Sequence, residues 1–215
     1  MRFAVMFAAL FFASTAASAA VTEAGFTERF DIDLRGSAWA PANKQRSFTV
    51  DGLTVDAFKK ADKPGKLWQD ATDGLGIRSG ESDEIDRKEW MKLTFDTPQK
   101  VTALMLTDLF DAPDGGANGE SARVRLTLAG GDEIDLTAWG NLADQGNGEA
   151  TLSFADLTGG APVSMIRFFS GGERGDDYSV AGLHVTPLPG AVWALGAGLA
   201  ALAGVRARRR RQQAA

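Results

Sequence analysis

Between Phe26 and Val185 the apolar positions recur every second residue in short runs, the spacing of strands with one buried face. Phe26 to Leu34 places Phe30, Ile32 and Leu34 on one face. Ser47 to Asp51 and Leu53 to Phe58 flank Asp51-Gly52, a pair that readily takes the positive φ of a tight hairpin turn. Further runs cover Trp90 to Phe95, Val101 to Leu109, Arg123 to Leu128, Ile134 to Ala138, Ala150 to Phe154, Met165 to Phe169 and Ser179 to Val185. Helical spacing is confined to Ala61 to Ala71, where Pro64-Gly65 interrupts it after one turn. About ten short strands without intervening helices predict an all-β fold, an antiparallel β-sandwich of jelly-roll type. No repeat or low-complexity linker divides the run, so residues 20–185 are read as one exported domain.

The two ends follow different patterns. Met1-Arg2, an apolar stretch from Phe3 to Phe12, and the small residues Ala17-Ser18-Ala19 have the three parts of a secretory signal peptide, predicted to be cut after Ala19 by signal peptidase. At the other end Pro187-Leu188-Pro189-Gly190 precedes an uncharged stretch from Ala191 to Val205, closed by Arg206 and Arg208 to Arg211. A helix from Leu188 to Val205 would be about 27 Å long, close to the roughly 30 Å hydrocarbon core of a bilayer. The arginines would hold its far end in the cytoplasm. Residues 1–19 are thus read as signal peptide and 186–215 as a tail with a single transmembrane helix.

Charge narrows the function of what lies between. The chain has 215 residues, 28 acidic and 23 basic, and no cysteine. Arg2, Arg206 and Arg208 to Arg211 fall in the ends, so the middle sets 28 acids against 17 bases, a formal charge of −11. That balance repels phosphate backbones and argues against nucleic acid as a partner. The lack of cysteine excludes disulfides and thiolate metal sites, and a single histidine, His184, excludes multi-histidine ones. Of the 25 glycines only Gly190, Gly196, Gly198 and Gly204 lie in the tail, so the middle is rich in turns.

The tail, with Pro187, Leu188 and Pro189 before the apolar stretch and Arg206, Arg208, Arg209, Arg210 and Arg211 after it, resembles the PEP-CTERM class of bacterial sorting signals in its Val-Pro-Leu-Pro-Ala variant. Val185-Thr186 and Gly190 depart from that pattern. The resemblance implies recognition by a membrane-embedded exosortase-like protease, passage through the inner membrane, and delivery to the surface of a Gram-negative cell that makes exopolysaccharide. Ser47 to Val55, Gly74 to Ile77 leading to Asp83 to Asp86, and Asp177 to Leu183 also look like pieces of the exported domains found ahead of such tails.

Candidate chemistry sits in three acidic clusters between strands: Glu81, Asp83, Glu84, Asp86 and Glu89; Asp108, Asp111, Asp114, Asn118 and Glu120; and Glu173, Asp176 and Asp177. Loop carboxylates flanked by glycine are what calcium takes, and Asp83, Glu84, Asp86, Asp176 and Asp177 are the candidate ligands. None of the clusters fits an EF-hand loop, and solvated acidic loops explain them more simply than calcium does. Glu84-Ile85-Asp86-Arg87-Lys88-Glu89 resembles the E-x-D-x-x-E arrangement of jelly-roll retaining glucanases. On a regular strand, however, residues five apart face opposite ways, and a retaining pair needs its carboxyls about 5–5.5 Å apart. His184 has no nucleophile beside it in the pattern, and Arg174-Gly175-Asp176 is too short to specify a partner. Trp39, Trp68, Trp90 and Trp139 all offer flat faces for sugar stacking, although aromatic residues in strands more often belong to the core; Trp68 and Trp139, next to polar loops, are the candidate ligand-binding residues, and register decides whether Trp90 or Met91 faces inward.

These features predict a non-catalytic exported module that associates with exopolysaccharide, with calcium as the one candidate cofactor. Two alternatives stand beside it: a glycan hydrolase using Glu84 and Glu89, and a structural coat protein without a small ligand.

Overall fold

The computed structural model describes residues 30–78, 84–110, 119–140, 148–154, 156–170 and 176–186. The predicted signal peptide and the tail motif Pro187 to Arg211 lie outside them, as does the predicted span. Among the described residues no helix is long and apolar enough to cross a membrane.

The hairpin read from Asp51-Gly52 forms as expected. β2 (Ser47–Val50) pairs antiparallel with β3 (Leu53–Lys59), and both turn residues take positive φ, 49° at Asp51 and 78° at Gly52. Leu53, Val55 and Ala57 point inward while Thr54, Asp56 and Phe58 point out, so alternation and burial agree. The same holds over most of β8 (Ser121–Leu128), β9 (Glu133–Trp139) and β11 (Val163–Ser170), whereas β10 (Ala150–Ser153) and β12 (Ser179–Thr186) are buried on both faces along most of their length.

Three expectations are corrected. The runs at Trp90 to Phe95 and Val101 to Leu109 are one strand, β7 (Glu89–Thr107), 19 residues long. Its first half pairs with β3 and β11, its second with β12 and β10. Asp96 and Thr97 between the halves are exposed. The helical turn expected within Ala61 to Ala71 is a 3₁₀ turn at Lys60–Asp62 followed by β4 (Lys63–Pro64) and β5 (Leu67–Asp70), and β6 (Gly74–Ile77) was not anticipated. Finally, Phe26 to Leu34 yields only β1 (Ile32–Asp33) among the described residues. Its side chains do not share a face: Leu34 joins the main core, whereas Phe30 packs with Met105 and Ala181 in a separate small cluster. The segment turns after Asp33, with the Gly36 N–H bonded to the Asp33 carbonyl at 3.3 Å.

Every described pairing is antiparallel, and the strands form two layers. One runs β5-β6-β12-β7-β10, with β1 beside β12; the other runs β2-β3-β7-β11-β8-β9, with β4 beside β3. Inward residues from both, among them Val55, Leu93, Phe168, Leu104 and Leu183, belong to one core cluster. That is a β-sandwich, the coarse fold expected from the sequence. A 3₁₀ helix (Ser37–Ala42) closes one side by burying Trp39.

Gly182 shows how tightly the outer layer is closed. A Cβ there would lie 2.5 Å from Cγ of Phe30 and 3.0 Å from the Ile32 carbonyl oxygen. Gly182→Ala is therefore expected to cost about 1–3 kcal/mol by overpacking. Urea unfolding checks this, and the penalty should shrink in a Phe30→Ala background because the clashing ring is gone. Equal penalties in both backgrounds would show that Phe30 does not set it.

Candidate functional site

Both ends of β7 lead to the same rim of the sandwich. At its start, the Glu89 N–H bonds the Asp86 carbonyl at 2.8 Å, and the Asp86 N–H reaches back to Glu89 Oε2 at 3.4 Å. At its exit, the Phe110 N–H donates to Glu120 Oε2 at 2.6 Å, and the Glu120 N–H returns to the Phe110 carbonyl at 3.0 Å. Asp177 connects the two turns by hydrogen bonds with Glu84 and Glu120, and it feels the charge of Asp86.

The rim thus brings together members of all three acidic clusters: Glu84 and Asp86, Glu120, and Asp176 and Asp177. Asp176 is buried and held by Ser121, whose N–H donates to Oδ1 at 2.8 Å and whose hydroxyl lies 3.2 Å from Oδ2. Below it Tyr178, fully buried, donates its hydroxyl to the Phe169 carbonyl at 2.9 Å. Burial and the neighbouring Asp176 carboxylate push that phenol well above its ordinary range. Burial raises Glu120 to about 7 against an ordinary 4.5, with Asp177 and Asp176 adding to the rise and the Phe110 N–H opposing it. Glu120 therefore keeps its proton in weakly acidic solution and shares it with Asp177, whose own carboxyl is raised chiefly by burial.

Of the candidate calcium ligands, Asp83 lies outside the described residues. Glu84, Asp176 and Asp177 join the cluster, and the exposed Asp86 lies near it, its carboxylate held by the Arg87 N–H. Among the described residues no group of three acidic or histidine side chains is placed to hold a metal ion. Asp108 has a positive φ of 60° at the exit of β7. Asp111, Asp114, Asn118, Glu81, Glu173 and Arg174 lie outside the described residues.

Glu84 and Glu89 are engaged by different partners. Glu84 bonds Asp177, whereas Glu89 is buried with Oε1 3.6 Å from Lys59 Nζ and Oε2 turned to the Asp86 backbone. His184 has Nδ1 3.5 Å from Asp31 Oδ2 and its ring 4.9 Å from that of Phe30, on a different strand from the rim turns.

The two candidate tryptophans separate. Trp68, on β5, has the Arg78 guanidinium 4.1 Å over its ring, at the edge of one layer. Trp139, half-buried, ends β9 at the edge of the other and pairs across to Ser121, the residue that holds Asp176. It therefore adjoins the carboxylates, and Trp68 does not share its layer. The residue missed from the sequence is Phe110. At 40% exposure it is the one exposed large hydrophobic side chain among the described residues. Gly148, at φ +64°, makes room for it: a Cβ there would lie 3.0 Å from Phe110 Cε1. Its signal was an aromatic ring directly after a predicted strand, ahead of the turn-forming sequence Asp111-Ala112-Pro113-Asp114-Gly115-Gly116.

No protein-family model and no curated protein sequence matches the chain. Among solved structures, the family 32 CBM of NanJ from C. perfringens, determined in complex with galactose, is similar at 15% identity and a TM-score of 0.35. The likeness covers 65% of this chain and 97% of that one.

The shared proton at Glu120 sets a pH dependence. Below pH 4.5 the carboxyl is protonated folded or unfolded; between there and about 7 only the folded chain keeps the proton, so stability from this group falls as pH rises through that window. Glu120→Gln, which imitates the protonated acid, is expected to be at least as stable as wild type at pH 7.5 and less stable relative to it at pH 5. At about 1.4 kcal/mol per pKa unit the swing is of order 2–3 kcal/mol. Urea unfolding at both pH values measures it, and a difference that does not change with pH would refute the assignment.

Proposed function

We propose that the protein is an exported, non-catalytic β-sandwich of jelly-roll type that associates with polysaccharide through the rim around Phe110. The observation that carries this reading is an exposed aromatic ring fixed to a hydrogen-bonding carboxyl pair. Phe110 offers an apolar face for the C–H side of a sugar, while the partly exposed Asp177 carboxylate, anchored by Glu120, can accept from its hydroxyls. Trp139, one strand pair away, extends that surface. The separate engagements of Glu84 and Glu89 support a binding role over hydrolysis.

Delivery belongs to the same proposal: residues 1–19 removed by signal peptidase, and the tail read through Pro187, Leu188 and Pro189 by an exosortase-like protease. Intact mass of protein released from its own host is expected to lack both residues 1–19 and the arginines 206–211. A released form still carrying Arg208 to Arg211 would refute tail processing.

For the rim itself, Phe110→Ala is expected to weaken retention on the producing organism's own exopolysaccharide about tenfold, since stacking contributes of order 1 kcal/mol or more. Its melting temperature should be nearly unchanged, because truncation of an exposed side chain costs little. Retention equal to wild type would remove the rim from the function. Release of reducing sugar that Glu89→Gln abolishes would replace it with hydrolysis.

A further inference from the structure

The outward face of the layer containing β3, β7, β11, β8 and β9 has two rows of side chains that the rim does not use. In the first, Phe58, Trp90 and Phe169 are cross-strand neighbours on β3, β7 and β11. Phe58 and Trp90 lie parallel with centroids 3.8 Å apart at 5°, Trp90 and Phe169 at 6.2 Å and 26°, and Trp90 Nε1 is held by Asp62 at 3.2 Å. Since these rings stack on one another, they turn edges rather than faces outward. The result is a rigid apolar wall that a ring meets edge-on rather than by stacking on a face, and the register puts Met91 in the core and Trp90 in that wall.

Two residues along each strand, the second row reads Asp56, Lys92, Arg167, Arg125 and Asp135 across five adjacent strands. Three cations occupy successive strands only about 4.8 Å apart, an arrangement that is destabilising unless each finds a counter-charge. The outer two do. Lys92 Nζ lies 3.0 Å from Asp56, and Arg125 forks onto Asp135 at 2.6 and 2.9 Å with Glu133 at 3.3 Å. Arg167, between them, has no carboxylate within ion-pair distance among the described residues, and its Nε is buried without a hydrogen-bond partner. Both flanking carboxylate sets are already taken up by its neighbours. Along its own strand the same face carries Phe169 on one side and Met165 on the other.

We propose that Arg167 is a carboxylate-binding residue and that this sheet face takes an acidic polysaccharide, the uronate group on the guanidinium and the sugar ring along the apolar wall of Phe169 and Trp90. Burial of Nε leaves the two terminal nitrogens of the half-buried Arg167 as the accessible end of the guanidinium, and such a pair matches a carboxylate in two parallel hydrogen bonds. The ligand must be brought from outside, because the neighbouring acids are committed. That the carboxylate is carried by a glycan rests on the polysaccharide reading above; the site itself, on another surface from Phe110, does not.

Native affinity electrophoresis of the full chain through gels containing polygalacturonate, dextran or poly-L-glutamate tests this. Polygalacturonate is expected to retard wild type and Phe110→Ala alike, and Arg167→Gln is expected to lose about tenfold in affinity, as for one charge-assisted pair. Should Arg167→Gln fail to fold by urea melt, Arg167→Lys decides: it keeps the charge but not the fork and should retain only part of the binding. Full binding by Arg167→Lys, equal retardation by poly-L-glutamate, or no retardation by polygalacturonate would each overturn the proposal. Failure of the rim reading shows separately, as Phe110→Ala unchanged on the host polysaccharide.

Discussion

Pro98 has no amide hydrogen to place in a ladder, and it falls where β7 has no pairing partner, between Phe95 opposite Leu53 and Gln99 opposite Val163. The strand there leaves one layer and enters the other without ending. Because β7 is hydrogen-bonded on both sides in each layer, it joins the two sheets covalently and contributes Met91, Leu93 and Phe95 from one half, and Leu104 and Leu106 from the other, to a single core. The path also returns its exit to the rim where it began. Without that return, the Asp86–Glu89 turn and the Phe110–Glu120 turn would not meet, and Asp177 would have no two turns to join.

The meeting has an electrostatic consequence. Carboxylates from distant parts of the chain cannot all stay ionised when water is withdrawn from them, so the cluster resolves into protonated and charged partners instead of into uniform repulsion. Asp176 is satisfied by Ser121, while Glu120 retains its proton and gives it to Asp177. The proton held between Glu120 and Asp177 removes one of the negative charges that the rim would otherwise present. The rim is therefore a hydrogen-bonding surface of mixed polarity rather than a wall of negative charge, and it is compatible with a neutral glycan even on a strongly acidic domain.

How far the sequence revealed this depends on the range of the contacts. The hairpin at Asp51-Gly52 was legible because turn chemistry and alternation both act within a few residues. β5 and β6 were not. Leu67 to Asp70 follows a Pro-Gly pair, and Gly74 to Ile77 is half glycine, so these segments become strands only by pairing with each other and with β12. Phe30 was read correctly as apolar and placed wrongly, because a local turn at Asp33 sends it to the outside of the layer. The acidic clusters were visible as three separate loops; their union is a matter of sheet topology, across about ninety residues between Glu84 and Asp177, and no periodicity encodes it. Phe110 was missed because a single aromatic residue after a strand reads as core until the chain is seen to leave it uncovered.

The two surfaces differ in electrical character in a way that bears on what can reach them. The rim concentrates carboxyls; the outer face of the β3-β7-β11-β8-β9 layer concentrates Lys92, Arg167 and Arg125 within three neighbouring strands. On a domain whose acids outnumber its bases by 28 to 17, the long-range field repels a polyanion from nearly every direction. That repulsion is screened over about 8 Å at physiological ionic strength, so contact is decided by the charges within that distance. On this face Lys92, Arg167 and Arg125 stand among Asp56, Asp135 and Glu133, three cations to three carboxylates, so the local balance is neutral where the domain as a whole is strongly negative. For the carboxylate-bearing glycan proposed at Arg167, that face is therefore where the domain's repulsion is weakest, and the same net charge that argues against nucleic acid would orient such a chain toward it.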